Sequence, residues 1–179
     1  NIIANGNGSF RLSDFLGQII VIAFFSPMWP VCSPELSDME TSIWQEFEQE
    51  VIVIGISNTM NVGHFVDENS LTFPILFDPG SNGGVDGGDT YDLYYLPNDG
   101  SPYPRDFIVN TEGILEYANN EIDISWMIEI IEELLEYNDQ ITGDVNYDGT
   151  LNILDIVIVV NMILGNTNPD MLADVNNDG

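Results

Sequence analysis

The chain contains no lysine, and its only basic residues are Arg11 and Arg105, against thirty acidic residues and a formal charge of −28. A surface of that sign repels phosphate backbones and anionic headgroups, so nucleic-acid partners are not expected. It attracts cations, calcium above all where carboxylates converge. There is one cysteine, Cys32, which excludes an intramolecular disulfide. There is one histidine, His64, without the companions that zinc binding or a Ser-His-Asp triad would need. Long hydrophobic runs are also missing. The longest, Ile19–Phe25 and 156–160, fall far short of the ~20 residues of a membrane span, so membrane insertion is not expected. The apolar share is nevertheless an ordinary 44%, so the acidity signals a folded, well-solvated chain rather than disorder. The sequence starts at Asn1 without a Met or a leader, as a trimmed product would.

What is present falls into two parts. Residues 1–140 read as one α/β domain and 141–179 as a small module. Residues 1–8 read as a turn or frayed hairpin. Ile19–Phe25 is a continuous β-branched and aromatic run, the pattern of a strand buried on both faces. Pro34 suits a helix start, and Leu36, Met39, Ile43 and Phe47 repeat at helical spacing. Val51–Ile56 predicts a second buried strand, 61–69 a helix and 73–77 a short strand. Residues 78–89 are Gly- and Asp-rich and predict a loop, in which Asp86 and Asp89 are weak cation candidates. Phe107–Val109 and 114–118 flank Asn110-Thr111-Glu112-Gly113 as a hairpin. Ile124, Met127, Ile128, Ile131, Leu134 and Leu135 form a last helical stripe, with Glu129, Glu132, Glu133 and Glu136 on its wet side. Such an order gives a mixed sheet covered by helices.

The chemistry-bearing segment is Trp29-Pro30-Val31-Cys32, placed between the first strand and the helix of Pro34-Glu35-Leu36. A cysteine at a helix N-terminus gains from unpaired N–H groups, which favour the thiolate. Glu35 and Asp38 work against this by adding negative charge. Residues 8–137 resemble the thioredoxin-like redoxin family of thiol–disulfide reductases and peroxiredoxins. The likeness rests on Asn7-Gly8-Ser9-Phe10-Arg11-Leu12, on Val21-Ile22-Ala23-Phe24-Phe25, on the turn itself, and on Tyr103-Pro104-Arg105-Asp106-Phe107-Ile108-Val109. It implies a thioredoxin-like mixed sheet. It also implies a cis bond before Pro104 facing the active cysteine, with Pro102 as the alternative, and Tyr103 backbone groups offered to a substrate peptide.

The departure from that family lies at Trp29, where a dithiol turn carries its nucleophilic Cys; Cys32 matches the second, more buried one. A two-thiol cycle within the chain is therefore excluded. By resemblance to peroxiredoxins, Cys32 would attack a peroxide, Trp29 would replace their Thr, and Arg105 would hold the thiolate, one residue away from the family's position. Several readings stand. Cys32 is a single reactive thiol that takes a peroxide or forms a mixed disulfide with an external thiol or disulfide. Or it is a small buried hydrophobe in a domain that only binds partners. A selenocysteine codon decoded as Trp at position 29 is a third reading, which the native codon decides.

Residues 143–149 (GDVNYDG) recur at 173–179 (ADVNNDG). The first copy opens a twelve-residue calcium loop. Asp144, Asn146 and Asp148 supply side-chain oxygens, Thr150 a carbonyl, Asn152 a further oxygen, and Asp155 closes the loop. Gly149 makes the turn, and Leu151 is expected to point inward. The segment resembles a type I dockerin repeat, an EF-hand-like helical module whose loop ends in Asp. The resemblance implies calcium as cofactor and a cohesin-like protein partner met through loop positions ten and eleven, Ile153 and Leu154. The second copy carries Asp174, Asn176 and Asp178. Together the readings describe a secreted protein, extracellular or periplasmic, that joins a thiol-redox domain to a calcium module.

Overall fold

Burial on both faces decides the centre of the sheet. The computed structural model describes residues 1–47, 50–82, 87–94, 96, 101–121, 123–138 and 141–176, in two compact units, Asn1–Glu132 and Glu133–Gly179. Asp86, Pro97 and Asp178 lie outside the described residues. In the first unit, β1 (Ile2–Ala4), β2 (Ile19–Phe25), β3 (Val51–Ser57), β4 (Ile75–Phe77), β5 (Arg105–Val109) and β6 (Leu115–Asn119) form one sheet in the order β1-β4-β3-β2-β5-β6. All seven residues of β2 are buried, as its unbroken apolar run requires. β2 pairs in parallel with β3, and β3 with β4, whereas β5 runs antiparallel to β2 and β6 to β5.

Side chains alternate along each strand, so register divides the residues between two faces. Val21, Ala23 and Phe25 share a face with Asp106 and Ile108; Ile22 and Phe24 share the other with Arg105 and Phe107. The hairpin of β5 and β6 is closed through Gly113, whose φ of 83° is the left-handed value a glycine accepts.

Several expectations shift. Residues 1–8 do close a local turn, in which Ile2 N donates to Gly8 O at 2.9 Å, but residues 2–4 also pair with β4, more than seventy positions along the chain. The helix after Cys32 is α1 (Cys32–Met39), which widens into a π-type turn over Glu40–Trp44. The cause is tertiary. Glu40 is buried and accepts bonds from the Thr72 backbone N–H (2.7 Å) and hydroxyl (2.6 Å), and Trp44 Nε1 donates to the same hydroxyl at 2.9 Å. Residues Gly63–Glu68 form α2, and Ile124–Asn138 form α3. Met127 and Ile131 of α3 are buried, and Glu129 and Glu132 are exposed, as the stripe predicted.

In the second unit, α4 (Ile153–Ile163) begins at a capping box. Asn152 accepts from Leu154 N at 2.8 Å, and Asp155 accepts from Asn152 N at 2.8 Å. Gly165, with φ of 73°, follows its end. The first copy of the repeat meets the segment just ahead of the second within this unit. Gly143 N donates to Leu172 O at 2.8 Å, Tyr147 Oη donates to Asp170 Oδ2 at 2.8 Å, and Val145 and Leu172 are buried. Leu151 does not point inward: it is 61% exposed, because a unit this small offers little interior beyond Val145 and Leu172.

Candidate functional site

The turn after β2 is tight. Trp29 N donates to Ser26 O at 2.9 Å, and Cys32 N donates to Trp29 O at 3.1 Å. This brings Cys32 to the first position of α1 with its side chain fully buried. Trp29 is half-buried, while Met28, Pro30 and Val31 are exposed around it. The bond between Tyr103 and Pro104 is cis, and both residues are buried at the start of β5. The Tyr103 carbonyl is taken by the Ser101 hydroxyl at 2.6 Å, so it is not freely offered to a peptide.

The helix start does not make Cys32 a thiolate. Burial pushes the thiol up to about 12, and the charges of Glu35 and Asp106 push the same way, against the backbone N–H of Ser26. Desolvation wins because the sulfur is wholly enclosed. Asp38, expected to contribute, is exposed and is not among the causes.

The sequence reading missed Asp106. It lies on β5 opposite Ala23, fully buried, on the face where Glu35 of α1 is also fully buried. Cys32 and Glu35, three apart on a helix, share that inner side. Burial raises the Glu35 carboxyl to about 7 and lifts Asp106 well above the usual carboxylate range. An acid directly before the apolar Phe107-Ile108-Val109, two places after the cis proline, was the available signal.

Arg105 requires a correction. Its neighbour Asp106 faces the Cys32 side, so Arg105 faces the opposite side of the sheet. There its guanidinium lies 3.9 Å from the centre of the Tyr91 ring and donates to Tyr94 O at 3.3 Å. A one-residue offset along a strand is a change of face, so Arg105 is not brought to Cys32. On that same far side, an apolar recess of about 520 Å³ is lined by Ile20, Phe107, Val109 and Leu115. It too is remote from the thiol. His64 is exposed and paired with Glu68 at 3.4 Å.

The loop of the second unit carries a donor set of its own. Asp144 and Asp155 are buried at its two ends and face its interior. Asp144 accepts from Asp148 N (3.2 Å) and Gly149 N (2.7 Å), and Asp155 accepts from Asn146 N (3.3 Å). The Asn152 backbone N–H holds the Asp155 carboxyl below its usual value. Asn146 Nδ2 donates to Asp148 Oδ2 at 2.8 Å, and Asn152 Nδ2 donates to Thr150 O at 2.8 Å. Gly149 makes the turn at φ 76°. Among the described residues no cluster of three His, Cys, Asp or Glu is drawn together, since the carboxylates are engaged by loop amides and carboxamides. The donor set is nonetheless all hard oxygen in the order calcium prefers, and the residues fit the ion. Asp174 and Asn176 belong to the second copy. Ile153 and Leu154 are exposed.

The parallel β2-β3-β4 core, the antiparallel β5-β6 hairpin, the cysteine turn after β2 and the cis proline ahead of β5 define a thioredoxin-like domain. Residues 3–118 match the AhpC/TSA family, and the chain belongs to that family; residues 142–179 match the Dockerin type I domain, a class that typically binds calcium. Over 131 residues the chain is 26% identical to the thiol-disulfide oxidoreductase ResA of Halalkalibacterium halodurans, spanning 72% of this chain and 68% of that protein. A thiol-disulfide isomerase from Corynebacterium glutamicum superposes with a TM-score of 0.62 at 18% identity, over 75% of this chain and 90% of that one. A secreted disulfide oxidoreductase of Mycobacterium tuberculosis gives a TM-score of 0.55 at 20% identity, over 70% and 88%. These structures share the fold. Among the described residues no helix is long and apolar enough to cross a membrane.

Proposed function

We propose that the first unit is a one-thiol redox domain in which Cys32 is the reacting sulfur and Glu35 its proton acceptor. The observation that carries this reading is the pair of fully buried acids beside Cys32. Buried carboxyls without donors cost folding energy, and such costs concentrate at functional sites. The step is balanced. Cys32 gives its proton to a Glu35 carboxylate oxygen, and the thiolate attacks one sulfur of an external disulfide. A mixed disulfide forms, and the other sulfur leaves as a thiolate, which takes a proton. With a peroxide as oxidant, the product is a sulfenic acid and the leaving oxygen departs as water or an alcohol. External thiols are needed to restore Cys32, one for the mixed disulfide and two for the sulfenic acid, since the chain has no other cysteine. Because the resting thiol is enclosed, reaction requires the Met28–Val31 turn to open. The domain boundary at 140/141 belongs to the same proposal, as do Pro104 and Trp29 as the walls of the site.

The dockerin match supports an extracellular or periplasmic setting. In this reading Asp144, Asn146, Asp148, Thr150, Asn152 and Asp155 hold calcium, with Asp174, Asn176 and Asp178 reserved for a second site. The ordered module then docks the redox domain to a cohesin-like protein.

A second reading is a binding domain whose redox site has been retired. The buried Cys32 with its raised thiol favours it. Mass spectrometry of Cys32 after exposure to oxidised glutathione or to hydrogen peroxide separates the two. An adduct or a sulfenic acid at Cys32 in the folded protein supports the redox reading. Modification found only after unfolding would leave the binding domain.

A further inference from the structure

A carboxylate taken out of water needs donors. Among the described residues, neither Glu35 nor Asp106 has one: all four of their oxygens are buried without an N–H or O–H partner. No cation offsets them, because Arg105 projects from the other face, Arg11 is exposed, and His64 is exposed on α2. The groups that face the pair are Cys32 from α1 and Tyr117 from β6, and Asp123 ahead of α3 lies near Tyr117. From β2, Val21, Ala23 and Phe25 share the face of Asp106, and none of them is charged or titratable. Two such carboxyls lie within hydrogen-bond reach of each other. Both cannot be ionised there, and a bond between them requires one proton.

We propose that Asp106 is a positioning residue that shares a single proton with Glu35 through neutral pH, holding Glu35 beside Cys32 as a half-charged acceptor. The shared proton satisfies one oxygen on each side and fixes the Glu35 carboxyl by a short, charge-assisted bond. The pair then passes through three states. Doubly protonated, it has no base to offer Cys32. Singly protonated, it carries one charge and accepts the thiol proton. Fully ionised, it sets two negative charges beside the sulfur and opposes the thiolate. The proton sharing rests on the burial, the missing donors and the proximity of the two carboxyls; its link to thiol chemistry rests on the redox reading above.

The test is a carbon-13 NMR titration of side-chain carboxyls in the full chain, for wild type, Asp106→Asn and Glu35→Gln. Wild type is expected to show two carboxyls titrating in two separated steps, with one proton still held at about pH 7 after the exposed carboxyls have ionised. Each variant is expected to lose the upper step and keep one. If every carboxyl of the wild type has ionised by about pH 6, or if the upper step survives in both variants, the proposal is overturned. The wild-type titration decides even where a variant fails to fold. The second measurement is the rate of Cys32 with a neutral aromatic disulfide across pH. Asp106→Asn, which removes the second charge, should lift the alkaline limb by about threefold or more and so change the shape of the profile. A uniform scaling would mark Asp106 as merely structural and overturn the positioning role. No reaction at any pH with the NMR result intact would instead remove the redox reading and leave the proton sharing standing.

Discussion

Glu35 on α1 and Asp106 on β5 bury their carboxyl groups beside each other, and no other described residue donates a hydrogen bond to either. The contact joins the helix that carries Cys32 to the strand that begins beside cis Pro104.

That contact makes stability depend on pH. Both acids bind protons more tightly folded than unfolded, so the folded state holds more protons over the range between the two values. Stability is then full below the ordinary carboxylate range and falls as pH rises, through about 7 for Glu35. Asp106→Asn and Glu35→Gln should each raise the unfolding free energy read from urea titration more at pH 8 than at pH 5, by on the order of 2 kcal/mol at the higher pH. Equal shifts at both pH values would show that the acids are not the cause.

Cys32 should label slowly when folded. With the thiol pushed up to about 12 from 9.0, its thiolate fraction near neutrality is about a thousandfold below that of an open cysteine. Alkylation by a small reagent should climb steadily between pH 7 and 9, with no plateau, and should become fast on unfolding. A plateau near neutral pH would mean that the sulfur is less enclosed than the structure has it.

Trp29→Cys should restore a dithiol turn. The turn backbone is already closed by the Trp29 carbonyl and the Cys32 N–H at 3.1 Å, and the cis proline is in place. Reduction of a protein disulfide with dithiothreitol as the electron source should rise at least about tenfold over the parent chain. An inactive variant that still folds would argue that more than the nucleophile has been lost.

Calcium should order the second unit. Adding it to metal-free protein should sharpen the amide spectrum of residues 144–155 and raise the melting temperature, and EDTA should reverse both. Asp148→Ala removes one hard ligand without touching the helix cap, and should weaken calcium binding at least about tenfold by calorimetry. No heat of binding in the parent chain would remove the calcium assignment.

The sheet was legible where local signals and long-range packing agree. Ile19–Phe25 and Val51–Ile56 are continuous apolar runs with few other options, and they became β2 and β3. The order of elements, the turn and the proline before β5 were enough to place the family. The pairing of residues 2–4 with β4 was not legible, because a short Ile-Ile-Ala strand carries no mark of its partner. The π-type turn at Glu40 escaped for a similar reason: its cause is Thr72, far along the chain.

At the candidate site, the sequence by itself determined that only one cysteine is present, that Trp29 stands in the nucleophile's place, and that an oxygen-rich loop spans 144–155. These are statements of residue identity and spacing, which need no folding to be read. Tertiary structure alone decided what those residues experience. It enclosed Cys32 against the pull of the helix start, and it turned Arg105 away from the thiol by one step of strand alternation. It also set Asp106 against Glu35. Solvent exclusion and strand register govern such effects, and both arise only when distant segments pack together.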